Sequence, residues 1–407
     1  MLDALLVKAK GLGDNPAMDF DIVIVGGGLA GLSLAVALRQ TRLSVGLVEN
    51  KAPFRPEGWD ARIYAVSLAN QAFLQDIGVW QHMDAQRLCP VEAMEVAGDR
   101  DGRLDFSAYD AGAAALAWIV ESAQMQCELW ESAKRQANLT LLCPARPAGL
   151  EMQPGAAHLL LEDGRSLKAR LIVAADGADS WTRQAAGIEV DFKHYDQKGV
   201  VANFACELSH RHTAFQWFIN DGQGRDGILA WLPLPDNQVS MVWSTPDAHA
   251  DELTALAPAE LCARVAAAGG HRLGAMALVT PAAAFPLRLM RAPRSVAPRL
   301  ALIGDAAHAI HPLSGHGINL GYRDAASLAG VLADKPEPMD CGDLALLRRY
   351  ERARKEEVVA LQGVTDSLHR LFSPSWQPLA LIRNTGLNLT NRLPVLKDVL
   401  IRYALAS

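Results

Sequence analysis

The stretch DIVIVGGGLAG, Asp21 to Gly31, joins a β-branched run to glycines at positions 26, 28 and 31 in the spacing G-x-G-x-x-G. The apolar run reads as a buried strand, Leu29 to Gln40 as an Ala/Leu-rich helix, and Ser44 to Val48 as a second strand. Residues 21–49 therefore form one βαβ unit. Each glycine has its own task in such a unit. Gly26 permits the tight turn, Gly28 lets a pyrophosphate approach the backbone, and Gly31 lets helix pack on strand. The helix then offers unpaired N–H groups and a partial positive charge to phosphate. Glu49 closes the second strand about 20 residues on, where a carboxylate accepts hydrogen bonds from an adenosine ribose. A glycine-rich turn without a ligand is the alternative, but strand, helix and acid all fall in place for a dinucleotide. This unit alone does not separate FAD from NAD.

Outward from it, residues 91–97 and 103–109 predict a hairpin around Asp101-Gly102, and a helical stretch is expected from Trp118 to Gln136. Strands follow at Leu139–Leu142, and at 158–161 and 167–173 around the turn Glu162-Asp163-Gly164-Arg165. The middle third changes character. Val200–Leu208, Ala214–Ile219, Ile228–Leu232 and Val239–Ser244 are short aromatic-bearing runs that suggest an antiparallel sheet, with one helix near 251–268. The βα pattern returns with the strand Leu300–Ile303, a Gly/His/Pro-rich loop and a helix from about Ile318. A discontinuous nucleotide domain with a substrate sheet inserted into it is the expected organisation.

A chain of 407 residues exceeds what one hydrophobic core usually fills. Half the residues are apolar and the formal net charge is −6, which gives no argument for a nucleic-acid partner. Six dispersed cysteines (Cys89, Cys127, Cys143, Cys206, Cys262, Cys341) form no C-x-x-C pair, which predicts neither zinc nor a disulfide framework and suits a cytoplasmic compartment. No apolar run is long enough to predict a membrane-spanning helix. Residues 1–17 lack the features of a signal peptide and read as a mis-called start or a short disordered lead before Met18.

Two later segments add a resemblance. AADGADSWTR, residues 174–183, matches a D-G-x-x-S-x-x-R segment, and GDAAH, residues 304–308, continues through Pro312, Gly315, Gly317 and Asn319 as G-D-A-A-H-x-x-x-P-x-x-G-x-G-x-N. Together with the glycine loop, these resemble the class A flavoprotein monooxygenases, of the fold seen in para-hydroxybenzoate hydroxylase. The resemblance implies an α/β protein: a discontinuous Rossmann-like FAD-binding domain (18–90, 111–190 and 292–343), an inserted antiparallel-sheet substrate domain (91–110 and 191–291), and a helical C-terminus (344–407). It implies tightly, non-covalently bound FAD. With one fingerprint only, NAD(P)H is expected as a transient co-substrate, reducing the flavin so that O2 delivers one oxygen to an aromatic carbon.

Site roles follow from the same resemblance. Gly26, Gly28, Gly31 and Glu49 hold the adenosine diphosphate half, with Asp176, Gly177 and Arg183 beside them. Gly304 and Asp305 meet the ribityl chain, Asp305 as an acceptor; capping the next helix is its structural alternative. Pro312, Gly315, His316 and Gly317 are expected at the reacting ring, where glycine lets backbone touch its edge. Ile318 and Asn319 open a helix aimed at the flavin N1/O2 region. Arg62, in DARIYAVS (residues 60–67), matches a D-x-R-x-x-A-L-S segment with Val66 for leucine; it holds the flavin and its phosphates, or pairs with Asp60. Two departures stand out: His316 replaces a common glutamine, and a Glu-Asn helix entry reads Glu121-Ser122.

His308, His311 and His316 lie close in sequence without an acidic pattern that completes a metal set, so no metal is expected. Tyr64, His194, Tyr195 and His311 are candidate bases for a phenol. Segments 349–352, 365–372 and 383–387 look like the tail of the ubiquinone-biosynthesis hydroxylases (UbiH/UbiI/UbiF type), which implies a polyprenylated phenol or quinol as substrate. Residues 344–407 carry ten Lys/Arg against five Asp/Glu, and Val358, Leu361, Val364, Leu368 and Leu371 recur at helical spacing. That is either an ordinary packed helix or a docking surface for anionic membrane or other ubiquinone-biosynthesis proteins. A halogenase is disfavoured, since Leu229 to Pro235 does not match W-x-W-x-I-P. A flavin hydroxylase of another aromatic compound is one alternative, and a non-catalytic FAD-bound subunit of a quinone-synthesis complex is the alternative from another class.

Overall fold

The structure, a computed structural model, describes residues 19–220, 225–309, 317–372 and 377–392. The expected lead at 1–17 and the tail after 392 lie outside the described residues.

Ile22, Val23 and Ile24 are fully buried, which explains why their strand reads as an unbroken apolar run: it is covered on both faces. That strand, Phe20–Val25, is central in a parallel array ordered Leu300–Leu302, Ser166–Ala174, Phe20–Val25, Val45–Val48, Leu139–Leu142. Helix Leu29–Ala37 packs over it between helices Ser122–Lys134 and Gly317–Ala333. Hairpin Pro147–Met152/Ala157–Leu161 adds antiparallel strands to one member.

A second sheet is ordered His308–Ala309, Ala283–Arg291, Asp191–Cys206, Gln238–Pro246, Gly227–Leu234, Thr213–Ile219, Ala93–Ala97, Arg103–Ser107. Phe204, Trp231, Met241 and Trp243 bury one face of it against helices Asp247–Ala255 and Pro258–Ala268. The opposite face packs on a third, smaller sheet: Ala214 and Leu234 meet Cys89, Val91 and Ile119, and Asn203 Nδ2 donates to Asp60 O at 2.9 Å.

Two expectations fail. The helix expected from Trp118 starts only at Ser122, because Ala117–Glu121 pairs with Ile63–Val66 and Cys89–Val91 in a three-stranded sheet. Its aromatic and β-branched residues suit that half-buried surface, and pairing overrides the helical pattern. The single helix near 251–268 is two, because Pro258 cannot donate and leaves Ala257 extended at ψ 148°.

Helix Leu344–Phe372 packs on helix Gly317–Ala333. The expected stripe on it is described at Val358 and Leu361, which pack on Leu320; the side chains of Val364, Leu368 and Leu371 lie outside the described residues. Helix Gln377–Arg392 lies along the edge strand Arg103–Ser107. Asn384, Asn388 and Asn391, on one helix face, accept hydrogen bonds through Oδ1 from the N–H groups of Gly102 (3.0 Å), Arg103 (2.9 Å) and Asp105 (3.1 Å). Among the described residues no helix is long and apolar enough to cross a membrane, and all six cysteines are free.

Candidate cofactor site and active site

The register of the parallel array brings the separate motifs together. Val25 is level with Ala174 and Val48, and Ala174 with Leu302. The chain leaves these neighbouring strands at Gly26, Ala175, Glu49 and Ile303, all at their carboxyl ends, where open α/β sheets bind ligands.

At the glycine loop the fit is made by missing side chains. Gly26 has φ +109°, and a Cβ there would lie 2.4 Å from Ala175 O. A Cβ on Gly31 would lie 2.1 Å from Gly26 O. A Cβ on Gly28 would meet no protein atom within 4 Å, so that glycine faces space rather than neighbours. Gly28 also begins helix Leu29–Ala37 without a side-chain cap, and no acid stands in the first turn, which leaves the N–H groups for an anion. Glu49 accepts from Gly27 N (2.5 Å) and Lys51 N (3.0 Å), one bond per oxygen, which leaves lone pairs for a ribose.

The second segment behaves differently. Asp176 accepts from Ser180 Oγ, and from Thr182 N and Oγ1 at 2.9 Å each, so its carboxylate folds the turn that starts helix Trp181–Ala185. Gly177 has φ +85°, which favours glycine. Arg183 is 1% exposed; it donates to Ala306 O at 3.0 Å and Ala178 O at 2.9 Å. Its Nε is buried without a partner, and burial lowers its pKa. Arg183 thus ties this segment to the Gly304–Ala306 turn instead of reaching into the cleft.

That turn carries Asp305. Gly304 sits at φ +57°, where an added Cβ would lie 3.1 Å from Ala30 Cβ, and Asp305 is exposed at the carboxyl end of the sheet although protein atoms crowd around it. Burial pushes its pKa up, and the charges of His308 and Arg62 act against that shift. Arg62 is exposed and its guanidinium makes no ion pair with Asp60, whose carboxylate accepts from Arg62 N (2.9 Å) and Ala123 N (3.0 Å) instead. Asn319 is buried: its Oδ1 accepts from Ser67 N and Asn70 Nδ2 (2.9 Å each) and its Nδ2 donates to Ala65 O (2.8 Å). It therefore anchors the start of helix Gly317–Ala333 to the segment that carries Arg62. Gly317 and Ile318 open this helix, half-buried. His311, Pro312, Gly315 and His316 lie outside the described residues.

Of the candidate bases, Tyr64 is half-buried with its pKa raised by burial, which keeps the phenol neutral. Tyr195 donates to Asp366 at 3.3 Å, towards the long helix. The side chain of His194 lies outside the described residues. Glu121, at the helix entry, accepts from Asp60 N (2.7 Å) and holds Arg87 in two hydrogen bonds of 2.6 and 2.7 Å.

The sequence reading missed one group altogether. Asp324, fully buried, accepts through Oδ2 from Gly304 N (2.9 Å) and His308 Nε2 (2.6 Å), and through Oδ1 from Arg354 Nε (2.8 Å). Burial alone would lower the His308 pKa, but Asp324 outweighs it and the net shift is upward. The converse holds for Asp324, which is held below the usual carboxylate range. A signal existed: Asp324 interrupts the buried stripe Leu320, Asp324, Leu328, where an acid needs a partner. Among the described residues no three His, Cys, Asp or Glu could hold a metal ion.

The family model described as an FAD binding domain matches residues 19–362. A 3-demethoxyubiquinol 3-hydroxylase of Escherichia coli K12 is 36% identical over 391 residues, 95% of this chain and 98% of that one. The ubiquinone hydroxylase UbiL of Rhodospirillum rubrum is 34% identical over 95% of this chain and 90% of its own. The chain belongs to the ubiquinone-biosynthesis branch of the FAD-dependent monooxygenases. Its cofactor is FAD, and the empty space at Gly28, the uncapped helix and the exposed Asp305 at the carboxyl end of the sheet fit that group. Among solved structures, p-nitrophenol 4-monooxygenase PnpA of Pseudomonas putida superposes with a TM-score of 0.76, at 17% identity, covering 95% of this chain and 98% of that one, which shows the shared fold.

Proposed function

We propose that this monooxygenase uses NAD(P)H and O2 to hydroxylate the aromatic ring of a polyprenylated phenol or quinol. The observation that carries this is the end-to-end likeness to the E. coli 3-demethoxyubiquinol 3-hydroxylase, 36% identical along 95% of the chain. Gly26, Gly28 and Gly31 receive the pyrophosphate at the uncapped helix, Glu49 the adenosine ribose, and Asp305 a ribityl hydroxyl. Asp176, Gly177 and Arg183 shape the turn beneath, and Arg62 adds positive charge from the cleft side. Pro312, Gly315 and His316 are assigned to the flavin ring by their motif, Gly317 and Ile318 open the helix beside it, and Asn319 anchors that helix start. When bound, the flavin supplies redox and oxygen chemistry; the protein orients the acceptor ring, excludes water and stabilises charge.

Residues 18–90, 111–190 and 292–343 act as the FAD-binding unit, 91–110 and 191–291 as the substrate unit, and 344–407 as a helical extension. The substrate ring lies between the flavin and the inner face of the second sheet. That face is lined by small side chains at Val201, Ala230 and Val242, with Gln216 among them, as the period of two along the strands requires. The protein works at the cytoplasmic face of the membrane, where a lipid-tailed substrate resides, with NAD(P)H arriving from solution.

Complementation of strains that each lack one ring hydroxylation, with quinone intermediates read by mass spectrometry, tests the proposal. Restoration of one missing hydroxylation is expected. Failure in every strain by a protein that retains FAD would sink it.

A further inference from the structure

Helix Leu344–Phe372 touches the cofactor strand and turn repeatedly from one of its faces. Tyr350 Oη donates to Leu302 O at 2.8 Å, Arg354 Nε to Asp324 Oδ1 at 2.8 Å, and Gln362 Nε2 to Met290 O at 3.0 Å and Ala309 O at 3.4 Å. Asp324 passes the middle contact on, to Gly304 N at 2.9 Å and His308 Nε2 at 2.6 Å. Segment 302–309 is therefore gripped before, within and after the turn that presents Asp305. The middle grip is the charged one. Glu357 holds both Arg354 and Arg323, so the two carboxylates Asp324 and Glu357 stand among His308, Arg323 and Arg354.

We propose that Arg354 is a positioning residue for the FAD site: through Asp324 it fixes the place of the Gly304–His308 turn that presents Asp305. Arg354 is 7% exposed and does not face the cleft, so it acts through Asp324 and His308. The groups facing Asp305 and His308 are Arg62 and Tyr64 beside the cleft, Asp324 on the helix that follows, and Arg354 itself; Arg291, opposite His308 in the strand pair, is exposed. Losing Arg354's charge takes from Asp324 one of the two cations that hold its carboxylate below the usual range, so Asp324 takes up its proton at higher pH and releases the turn. Losing only the planar fork, with the charge kept, disturbs the position of the turn and not its ionisation.

Arg354→Met and Arg354→Lys separate the two effects. FAD released from diluted holoenzyme is measured by its fluorescence from acid to alkaline pH, with Arg352→Met, an exposed arginine of the same helix, as control. Both Arg354 variants are expected to hold FAD about tenfold more weakly, the size of one charge-assisted hydrogen bond. Arg354→Met is expected to move the acid midpoint of FAD release to higher pH, whereas Arg354→Lys keeps the wild-type midpoint. If both variants share one midpoint, or if Arg354→Met retains FAD as the wild type does, the proposal is overturned. Should Arg354→Met not fold, Arg354→Gln, a donor without charge, replaces it in the comparison with lysine.

Discussion

The two ends of the cofactor site are built on opposite principles. At Gly26–Gly31 almost nothing but backbone is present: a tight turn, close helix–strand contact and an uncapped helix end. At Gly304–His308 the turn rests on buried charges drawn from helices that start at Gly317 and Leu344. One end is made by excluding side chains, the other by balancing them. The first resists any added atom; the second resists any change of charge, even at constant size.

Asp324→Asn, nearly isosteric, tests that contrast most severely. It leaves His308 and Arg354 without their shared counter-ion, so a loss of about 3–5 kcal/mol is expected in denaturant unfolding. A loss under about 1 kcal/mol would show that the cluster is not charge-limited. Gly31→Val at the other end changes no charge but drives a Cβ to 2.1 Å from Gly26 O. Colourless protein destabilised by about 3 kcal/mol is expected; yellow protein with normal FAD content would refute the packing account.

The ionic end should also feel pH. His308 has a raised pKa, so its pairing contributes fully below the ordinary histidine value of 6.5 and is lost as pH rises through the folded value. Asp324, held low, keeps its own contribution until pH falls through its folded value. Thermal stability of the wild type is expected to decline on the alkaline side, and His308→Asn to flatten that decline. An unchanged slope in His308→Asn would assign the decline elsewhere. Gly28→Ala is the mildest change. Its Cβ enters open space, so stability should stay within about 0.5 kcal/mol while FAD binding weakens, measured by titration of the flavin-stripped protein. Loss of stability with unaltered FAD affinity would reverse the role given to Gly28.

These two ends were not equally legible. The glycine loop, its helix and Glu49 lie within 29 consecutive residues and could be read from spacing. The His308–Asp324 and Asp324–Arg354 bonds span 16 and 30 residues, and only folding brings their partners together. Arg183 was legible as a motif member but not as a strut, because its partner is the backbone of Ala306. Trp118 to Glu121 misled for a related reason: the strands that recruit them lie elsewhere in the chain, at Ile63–Val66 and Cys89–Val91. Local chemistry survives in sequence; chemistry completed across the fold does not.

The row of asparagines against the edge strand has a consequence for the making of the protein. Gly102 waits for Asn384, which is 282 residues further along. At roughly 5–20 residues per second, a ribosome takes about 15–60 s to cover that distance. Throughout that interval the N–H groups of Arg103 and Asp105 form an open template for other nascent strands. The hairpin near residue 100 is therefore made long before the helix that covers it, and crowded overexpression is expected to lose protein to aggregation at that stage.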